Sequence, residues 1–382
     1  MHCSRLIVPL CLVSVIVSMF GTLPCGAATF TWNGLASNPA ATNWEDAANW
    51  TPAGGPPGPN DIARFPSKGT TYNNPSVNDA RHIYQIDFPN SPAGGWVITG
   101  KGTLHMGAGG GFGLYYVTRI DCNIVVVTNQ VWWLGGGSAG YLDIYGTISG
   151  PGHITRRQDS LRPRNDNDTA GFSGGMTLLP GATVALYHHR GLGSGVIKLR
   201  NNSLLCAETV LSAPVTNRIE LLDGGIVSIS GDGTNQRGLT YAGPLFIHRQ
   251  VALNTPSWDG ATLVVVNGPI WGHGFAKIST RNMTIGGTVT LSNKLAVAQG
   301  PVTFATSSTG SSIAKGVEVW MGKLVLNAAA NLAGNQVRMR PIVPFDVPMY
   351  TLRYDGVPSY LDFSASVGMV DVDAATFTQN PA

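Results

Sequence analysis

From Trp96 onward the chain consists of short apolar segments, each followed by glycine or asparagine. Examples are WVITGKGTLHMG, CNIVVVTNQVWWLGGG, GATVALYHH and GGTVTLSNKLAVAQG. Alternating valine, isoleucine, threonine and leucine are typical of β-strands, and glycine marks a sharp bend between them. The segments recur at intervals of roughly 15 to 25 residues, which is the length of one coil in a stacked solenoid. The sequence therefore predicts an all-β solenoid over residues 96–382.

Composition supports this prediction and narrows the range of partners. Only 12% of the 382 residues are charged, and 49 glycines and 24 prolines require the chain to turn often. The formal net charge is only +3, which is too small to drive nonspecific binding to nucleic acid. The glycine-rich stretch 107–113 lacks the lysine and the serine or threonine of a phosphate-binding loop. No nucleotide and no cofactor is therefore expected.

Residues 1–28 have the pattern of a signal peptide. Arg5 precedes an apolar run, and GTLPCGAATF follows with small residues at the spacing that a signal peptidase accepts. Cleavage is expected after Ala27 or Ala28. An uncleaved anchor is the alternative, but the apolar run 6–20 is shorter than the ~20 residues of a spanning helix. We expect an exported protein, extracellular or on the cell surface, with no transmembrane segment after cleavage.

Residues 29–95 differ from the rest because they are rich in tryptophan, proline and asparagine. Trp32, Trp44 and Trp50 lie among turn-forming residues. They could stack on sugars, or they could form an apolar plug at one end of the fold. The plug is favoured because the terminal unit of a stacked architecture needs an atypical cap. The prediction for this region is an irregular, tryptophan-rich N-terminal cap.

Residues 146–205 resemble a known repeat. They contain, in order, GTISGPG, an Ile-Thr-Arg triplet, an aromatic residue before Ser-Gly-Gly, and Leu-Gly-Ser-Gly. The matching residues are Gly146, Ile148, Ser149, Gly150, Gly152, Ile154, Thr155, Arg156, Phe172, Ser173, Gly174, Gly175, Leu192, Gly193, Ser194 and Gly195. Their order and spacing resemble the autotransporter-associated β-strand repeat of exported bacterial proteins. The resemblance implies a right-handed parallel β-helix or a closely similar β-solenoid. GPIWGHG, from about residue 268, repeats the pattern of GTISGPG as a degenerate second copy.

A stacked coil also predicts where individual side chains lie. Gly150 and Gly152 are expected at a corner, since a sharp backbone turn with positive φ is costly for other residues. Apolar residues on successive strands should form ladders toward the core or its corners. The predicted members are Ile144, Ile148, Val184, Leu186, Val196, Ile197 and Leu199.

The most charged segment of the chain is 154–168. It contains Arg156, Arg157, Arg162, Arg164, Asp159, Asp166 and Asp168. Carboxylates beside a basic residue could form a calcium-dependent polysaccharide lyase site. However, Pro163 interrupts the expected strand, and the glycine that normally follows the basic residue of the repeat is missing. We therefore expect a solvated loop with weakly paired charges.

The remaining reactive side chains form no convincing site. His188 and His189 follow a strand, and adjacent strand residues point to opposite faces, so the two histidines should not easily serve one site. A surface corner is the expected location of both. Cys122 and Cys206 could form one disulfide in an oxidising compartment, or remain two separate thiols. WDG at 258–260 and LLDGG at 221–225 each supply a single carboxylate. We predict no catalytic, cofactor-binding or metal-binding residue.

Two functions remain from this reasoning. The favoured one is a non-enzymatic exported solenoid that acts as a cell-surface, adhesive or matrix protein, or as an autotransporter-like passenger. The alternative is a carbohydrate-active β-helix protein: a polysaccharide lyase, a glycoside hydrolase or a glycan-binding module. The expected partners are surface glycans or other envelope proteins. A carboxylate-lined groove or exposed aromatic side chains along one face would favour the alternative.

Overall fold

The computed structural model describes residues 27–35, 38–67, 71–89, 95–107, 110–114, 118–134, 141–231, 239–255, 263–327, 332, 335–339, 361–363 and 369–372. Within these residues the chain is nearly all-β, and parallel strands stack into a solenoid of about ten turns. The all-β solenoid prediction is thus confirmed. The only described helix is the 3-10 turn Ala47–Asn49, and no described helix could span a membrane. The predicted signal peptide lies outside the described residues, except for Ala27 and Ala28.

The described strands are numbered in chain order. The first half comprises β1 (Thr29–Trp32), β2 (Trp50–Thr51), β3 (Ile62–Arg64), β4 (Ala80–Ile83), β5 (Gln85–Asp87), β6 (Val97–Ile98), β7 (Thr103–Met106), β8 (Phe112–Leu114), β9 (Thr118–Ile120), β10 (Asn123–Val126), β11 (Gln130–Leu134), β12 (Tyr141–Ile144), β13 (Ile148–Ser149), β14 (Ile154–Arg157), β15 (Asp159–Pro163), β16 (Met176–Leu178) and β17 (Ala182–Leu186). The second half comprises β18 (Ile197–Leu199), β19 (Leu204–Ala207), β20 (Ile219–Leu221), β21 (Ile226–Gly231), β22 (Leu239–Tyr241), β23 (Leu245–Ile247), β24 (Val251–Asn254), β25 (Leu263–Val266), β26 (Ile270–Gly272), β27 (Phe275–Lys277), β28 (Asn282–Ile285), β29 (Val289–Leu291), β30 (Leu295–Phe304), β31 (Ser312–Ile313), β32 (Val317–Leu326), β33 (Gln336–Met339), β34 (Leu361–Phe363) and β35 (Met369–Val372).

The strands form three faces of a prism. The first face is a sheet of fourteen strands in the order β2-β1-β3-β5-β8-β11-β14-β16-β18-β20-β23-β26-β29-β31. The second face runs β6-β9-β12-β15-β17-β19-β21-β24-β27 and continues through the starts of β30 and β32 to β33 and β35. The third face contains β4-β7-β10-β13 and, further along, β22-β25-β28 with the ends of β30 and β32 and then β34.

The length of a coil varies along the prism. Paired residues on the first face are separated by 26 residues between Ile219 and Leu245 but by only 19 between Ile270 and Val289. The shorter separation lies within the roughly 15 to 25 residues expected from the sequence, and the longer one exceeds this range by one residue. The variation lies in the corner segments, because the paired strands themselves stay in parallel register.

A ladder of buried aliphatic side chains lines the interior of every face. On the first face its members follow one another in register and have less than 2% of their surface exposed: Ile154, Met176, Ile197, Ile219, Leu245, Ile270 and Val289. Burial of one such side chain contributes about 1.5–3 kcal/mol. All the predicted core residues are buried except Val196, which is half-buried.

The three tryptophans of the N-terminal region form the predicted plug. Trp32, Trp44 and Trp50 are all at most 2% exposed, and each packs its ring 5.6–6.1 Å from that of Phe65. One of the buried indole N–H groups has a hydrogen-bond acceptor within the plug, since Trp50 Nε1 donates to the carbonyl oxygen of Trp44 at 2.8 Å. The parallel first face continues from β3 through β5 to β8, so the cap and the later coils share one sheet.

Gly150 occupies a corner that requires glycine. Its φ is +98°, and a Cβ atom would lie 2.5 Å from the carbonyl oxygen of Val126 in the coil below. At Gly152 a Cβ atom would approach the carbonyl oxygen of Thr128 to 2.2 Å. The predicted corner at this motif is confirmed.

The two similar glycine motifs are not equivalent in three dimensions. GTISGPG supplies β13 to the third face, whereas GPIWGHG supplies β26 to the first face. Both motifs encode a short strand between two bends. The second copy predicted from residue 268 therefore does not stack on the first copy, because the two copies lie on neighbouring faces of the prism.

Candidate functional site

The charged segment is not the solvated loop that we predicted from the sequence. Residues 154–163 form β14 and β15, and both strands pair in parallel with coils on either side. Only residues 164–171 lack strand pairing. Pro163 is tolerated because it is the last residue of β15, where a missing N–H group does not interrupt the ladder.

Arg156 is fully buried at the corner between the first and second faces. Its guanidinium donates to the carbonyl oxygens of Trp132 at 3.1 Å, Arg157 at 3.2 Å and Asp159 at 3.0 Å. Gln158 and Asp159 form this corner with φ values of 53° and 52°. Burial lowers the pKa of Arg156 to about 9, so the side chain stays protonated at neutral pH. Arg156 therefore satisfies inward-facing carbonyl groups and has no direct access to a ligand.

Two other arginines of the segment lie outside the second face, among tyrosines. This arginine–tyrosine cluster consists of Arg119, Tyr141, Asp143, Tyr145, Arg162, Arg164 and Tyr187. The guanidinium carbon of Arg164 lies 3.5 Å from the ring centre of Tyr187 and 4.9 Å from that of Tyr145. That of Arg162 lies 4.1 Å from the ring centre of Tyr141.

Each arginine of the cluster also has a carboxylate partner. The pairs are Arg164–Asp143 at 2.8 Å, Arg119–Asp121 at 2.6 Å and Arg162–Glu208 at 3.6 Å. The positive charge of each arginine is balanced by its carboxylate. The cation–π contacts also hold each arginine against a tyrosine ring. The arginine–tyrosine cluster thus connects the coils from β9 to β19 and carries no excess charge for a ligand.

The two remaining aspartates of the segment pair with one arginine. Asp166 lies 2.5 Å and Asp168 3.7 Å from the Arg190 guanidinium nitrogens. The rings of His188 and His189 lie side by side with centres 4.4 Å apart, so our prediction that they point to opposite faces is wrong. They lie in the bend after β17, which agrees with the surface corner expected from the sequence, and strand alternation does not apply there.

His189 makes the one contact in this bend that resembles a nucleophile and its base. Its Nδ1 lies 3.1 Å from Ser212 Oγ. Burial, together with the charges of His188 and Arg190, lowers the pKa of His189, so the imidazole is neutral at physiological pH. The described residues contain no group of three or more His, Cys, Asp or Glu side chains placed to hold a metal ion.

The two cysteines are separate thiols in the structure. Cys122 is buried, and burial raises the pKa of its thiol to about 12. Cys206 is half-buried on the second face, where its Sγ lies 3.7 Å from the carbonyl oxygen of Val184. The disulfide alternative is therefore not realised.

Lys277 is a second buried cation, which the sequence analysis did not identify. It is fully buried between Phe275 of the same strand and the corner that follows. Its Nζ donates to the carbonyl oxygens of Ser279, Arg281 and Gln299. Burial lowers the pKa of Lys277 to about 7. The alternation of side chains along β27 could have indicated this burial from the sequence. Phe275 points inward, and Lys277, two residues later, is on the same side of the strand.

Lys277 is expected to make stability depend on pH. Because folding lowers its pKa from 10.5 to about 7, the unfolded chain binds more protons than the folded chain between these values. The free energy of unfolding should then rise with pH through this window. Urea denaturation at about pH 7 and pH 9 measures the rise, which Lys277→Met should reduce. Lys101→Met, which removes an exposed lysine, should leave it unchanged, and an equal rise in both variants would contradict the assignment.

The outer side of the first face carries one continuous row of side chains. We call this row the first-face ladder; it comprises Val131, Thr155, Thr177, Lys198, Glu220, Phe246, Trp271, Thr290 and Ser312, each in register with the next. The ladder crosses nine consecutive coils. Val131 and two threonines occupy one end, Thr290 and Ser312 occupy the other, and charged and aromatic residues occupy the middle.

The middle of the ladder combines an aromatic pair, of which Trp271 is exposed and Phe246 half-buried, with a carboxylate held by an ion pair. Phe246 and Trp271 meet edge to face with ring centres 5.7 Å apart, and 37% of Trp271 is exposed. Glu220 lies 2.7 Å from Arg218 and 3.5 Å from His248 Nε2. The Arg218 guanidinium also lies 4.8 Å from the Phe246 ring centre. This is the described surface that best fits a ligand, and only the cross-coil register brings its members together.

Neither a protein family, nor a curated protein, nor a solved structure matches the chain. The fold alone defines its class, which is that of the parallel β-solenoid proteins. The likeness to the autotransporter-associated repeat therefore stays a prediction from the sequence.

Proposed function

We propose that the protein is an exported, non-enzymatic β-solenoid that acts as an adhesive or structural component of the cell surface or extracellular matrix. The first-face ladder is the observation that carries this proposal, because it presents side chains in register on nine successive coils. A continuous apolar core supports the ladder from behind. A rigid surface of this length suits many weak contacts made at once to an extended ligand.

The charged groups on the outer faces support a binding role. A hydrolase or lyase needs carboxylates that are available to a substrate. Here Asp143 is held by Arg164, and Glu220 by Arg218. Asp166 likewise pairs with Arg190. These ion pairs stabilise the coils and keep the carboxylates close to neutralising partners.

Surface location and adhesion test the proposal directly. An antibody raised against the mature chain should bind intact cells that produce the protein, without permeabilisation. Removing the gene should reduce attachment of those cells to a surface or to one another, and the wild-type gene should restore it. Protein found only inside intact cells, or attachment that is unchanged without the gene, would contradict the proposal.

The second candidate function is a carbohydrate-active enzyme. The observation that favours it is Glu220 beside Phe246 and the exposed Trp271, since aromatic rings can hold a sugar next to a carboxylate. Incubation of the purified protein with acidic and neutral polysaccharides tests this function through release of new reducing ends. Activity that is lost in Glu220→Gln but kept in Ser212→Ala would replace the adhesive proposal by this one.

A further inference from the structure

We infer that the first face binds a linear acidic polysaccharide along the solenoid axis, with Phe246 and Trp271 as its apolar contact. The inference rests on the proposed function and deepens it by naming the class of ligand. Three properties of the first face lead to it: an aromatic pair with Trp271 exposed, an excess of basic side chains, and the length of the surface that carries them.

The aromatic pair provides the apolar part of the site. Trp271 belongs to the few large apolar side chains of the described residues that are more than a third exposed. An amphipathic ring left at a surface marks a place for a partner. The C–H groups on one side of a pyranose ring can pack on the indole, while the sugar hydroxyl groups reach the polar neighbours Glu220 and His248. A sugar ring fits this combination of apolar and hydrogen-bonding groups.

From β14 onward, outward-facing basic side chains predominate on this face and at its two edges. The basic members are Arg157, Lys198, Arg200, Arg218, Arg249, Lys294 and Lys315, and the acidic members are Asp159, Glu220 and Asp223. Lys294 pairs with Glu318 of the second face. Arg200 pairs with Asp223, and Arg218 with Glu220. Among the described residues, Arg157, Lys198 and Arg249 have no carboxylate within ion-pair distance. These cations are available for an anionic ligand, in contrast to the neutral arginine–tyrosine cluster.

The spacing of these cations indicates a polymer. Arg157 belongs to β14, Lys198 to β18, and Arg249 follows β23, so an unpaired cation occurs on every second coil. With strands about 4.8 Å apart, the three cations span roughly 19 Å along the axis. The aromatic pair extends the same surface by one more coil. A single sugar is too short to contact all of these groups, whereas an extended polysaccharide is long enough.

Binding of the purified mature chain to defined polymers tests the inference. Polygalacturonate supplies carboxylates, chondroitin sulfate adds sulfates, and dextran is neutral. We expect binding to at least one of the two acidic polymers, weakened by added salt, and none to dextran. The preferred acidic polymer identifies the anionic group. Equal binding to dextran, tighter binding to single-stranded DNA, or binding to none of the polymers would overturn the inference.

Variants locate the binding on the first face. Trp271→Ala should weaken it by about tenfold or more, as expected for an aromatic anchor, and Trp271→Phe should retain most of it. Lys198→Glu should weaken binding by roughly threefold to tenfold. Lys101→Glu makes the same change of charge on an exposed lysine away from this face and should have no effect. If Lys198→Glu and Lys101→Glu weakened binding equally, the effect would come from the net charge of the protein, and the assignment of the binding site to the first face would be wrong.

The outcomes also separate this inference from the proposed function. If cells attach through the protein but the purified chain binds no acidic polymer, the adhesive function stands and the ligand assignment fails. If the purified chain binds such a polymer but is absent from the cell surface, the ligand assignment stands and the proposed location fails.

Discussion

Replacing Arg156 with alanine should lower the free energy of unfolding by about 3 kcal/mol or more. The substitution leaves the carbonyl oxygens of Trp132, Arg157 and Asp159 without the donors that they now have, and an unsatisfied buried polar group costs about 1–3 kcal/mol. It also opens a cavity at a corner where the side chain is fully buried. Urea or thermal denaturation of the purified variant measures the loss.

The neighbouring residue provides a matched control for this prediction. Arg157 has the same side chain, but it is exposed, and Arg157→Ala should change stability by about 0.5 kcal/mol at most. Arg156→Met restores most of the volume without the donors, so it should fall between the other two. If Arg156→Ala and Arg157→Ala were equally stable, the buried position of Arg156 would be wrong.

Replacing Gly150 with alanine should produce the second large effect. A positive φ of +98° costs a residue with a Cβ atom about 1–3 kcal/mol. In addition, the new Cβ would lie 2.5 Å from the carbonyl oxygen of Val126, so two coils would have to separate locally. We expect lower yield and faster proteolysis near residues 140–200, because a disturbed coil affects the coils next to it.

A substitution at Gly310 distinguishes the cost of the positive φ from the cost of the steric clash. The φ of Gly310 is +68°, but no atom lies within 4 Å of a Cβ built there. Gly310→Ala should therefore show only the cost of the backbone conformation. Wild-type protease resistance in Gly150→Ala, or equal damage in both variants, would refute a steric requirement at the Gly150 corner.

The fold could be predicted from the sequence because its determinants are local. Alternation of apolar residues sets which side of a strand faces the core, and glycine at positions such as Gly150 sets where the chain bends. The face to which each segment belongs was not predictable in the same way. GTISGPG and GPIWGHG read alike but lie on different faces, because the same pattern of a short strand between two glycine bends can occur at more than one corner of a coil.

The candidate site was less predictable, for two physical reasons. Alternation from Ile154 indicates that Arg156 points inward, but Pro163 and the missing glycine of the repeat led us to expect a solvated loop here. Full burial of a charged side chain is also rare. Burial is possible here because the corner supplies carbonyl groups that need donors. The Phe246–Trp271 pair could not be found from sequence, since 25 residues separate its members and only the register of the coils brings them together.

The antiparallel strand β2 limits how copies of this protein can join. It pairs with β1 at the outermost edge of the first face and contributes only two residues, and the buried tryptophans pack directly behind it. At the first face, a second molecule that approached this end would meet a very short edge rather than an open row of backbone groups. Extension of the first face by strands of another copy is therefore disfavoured at this end.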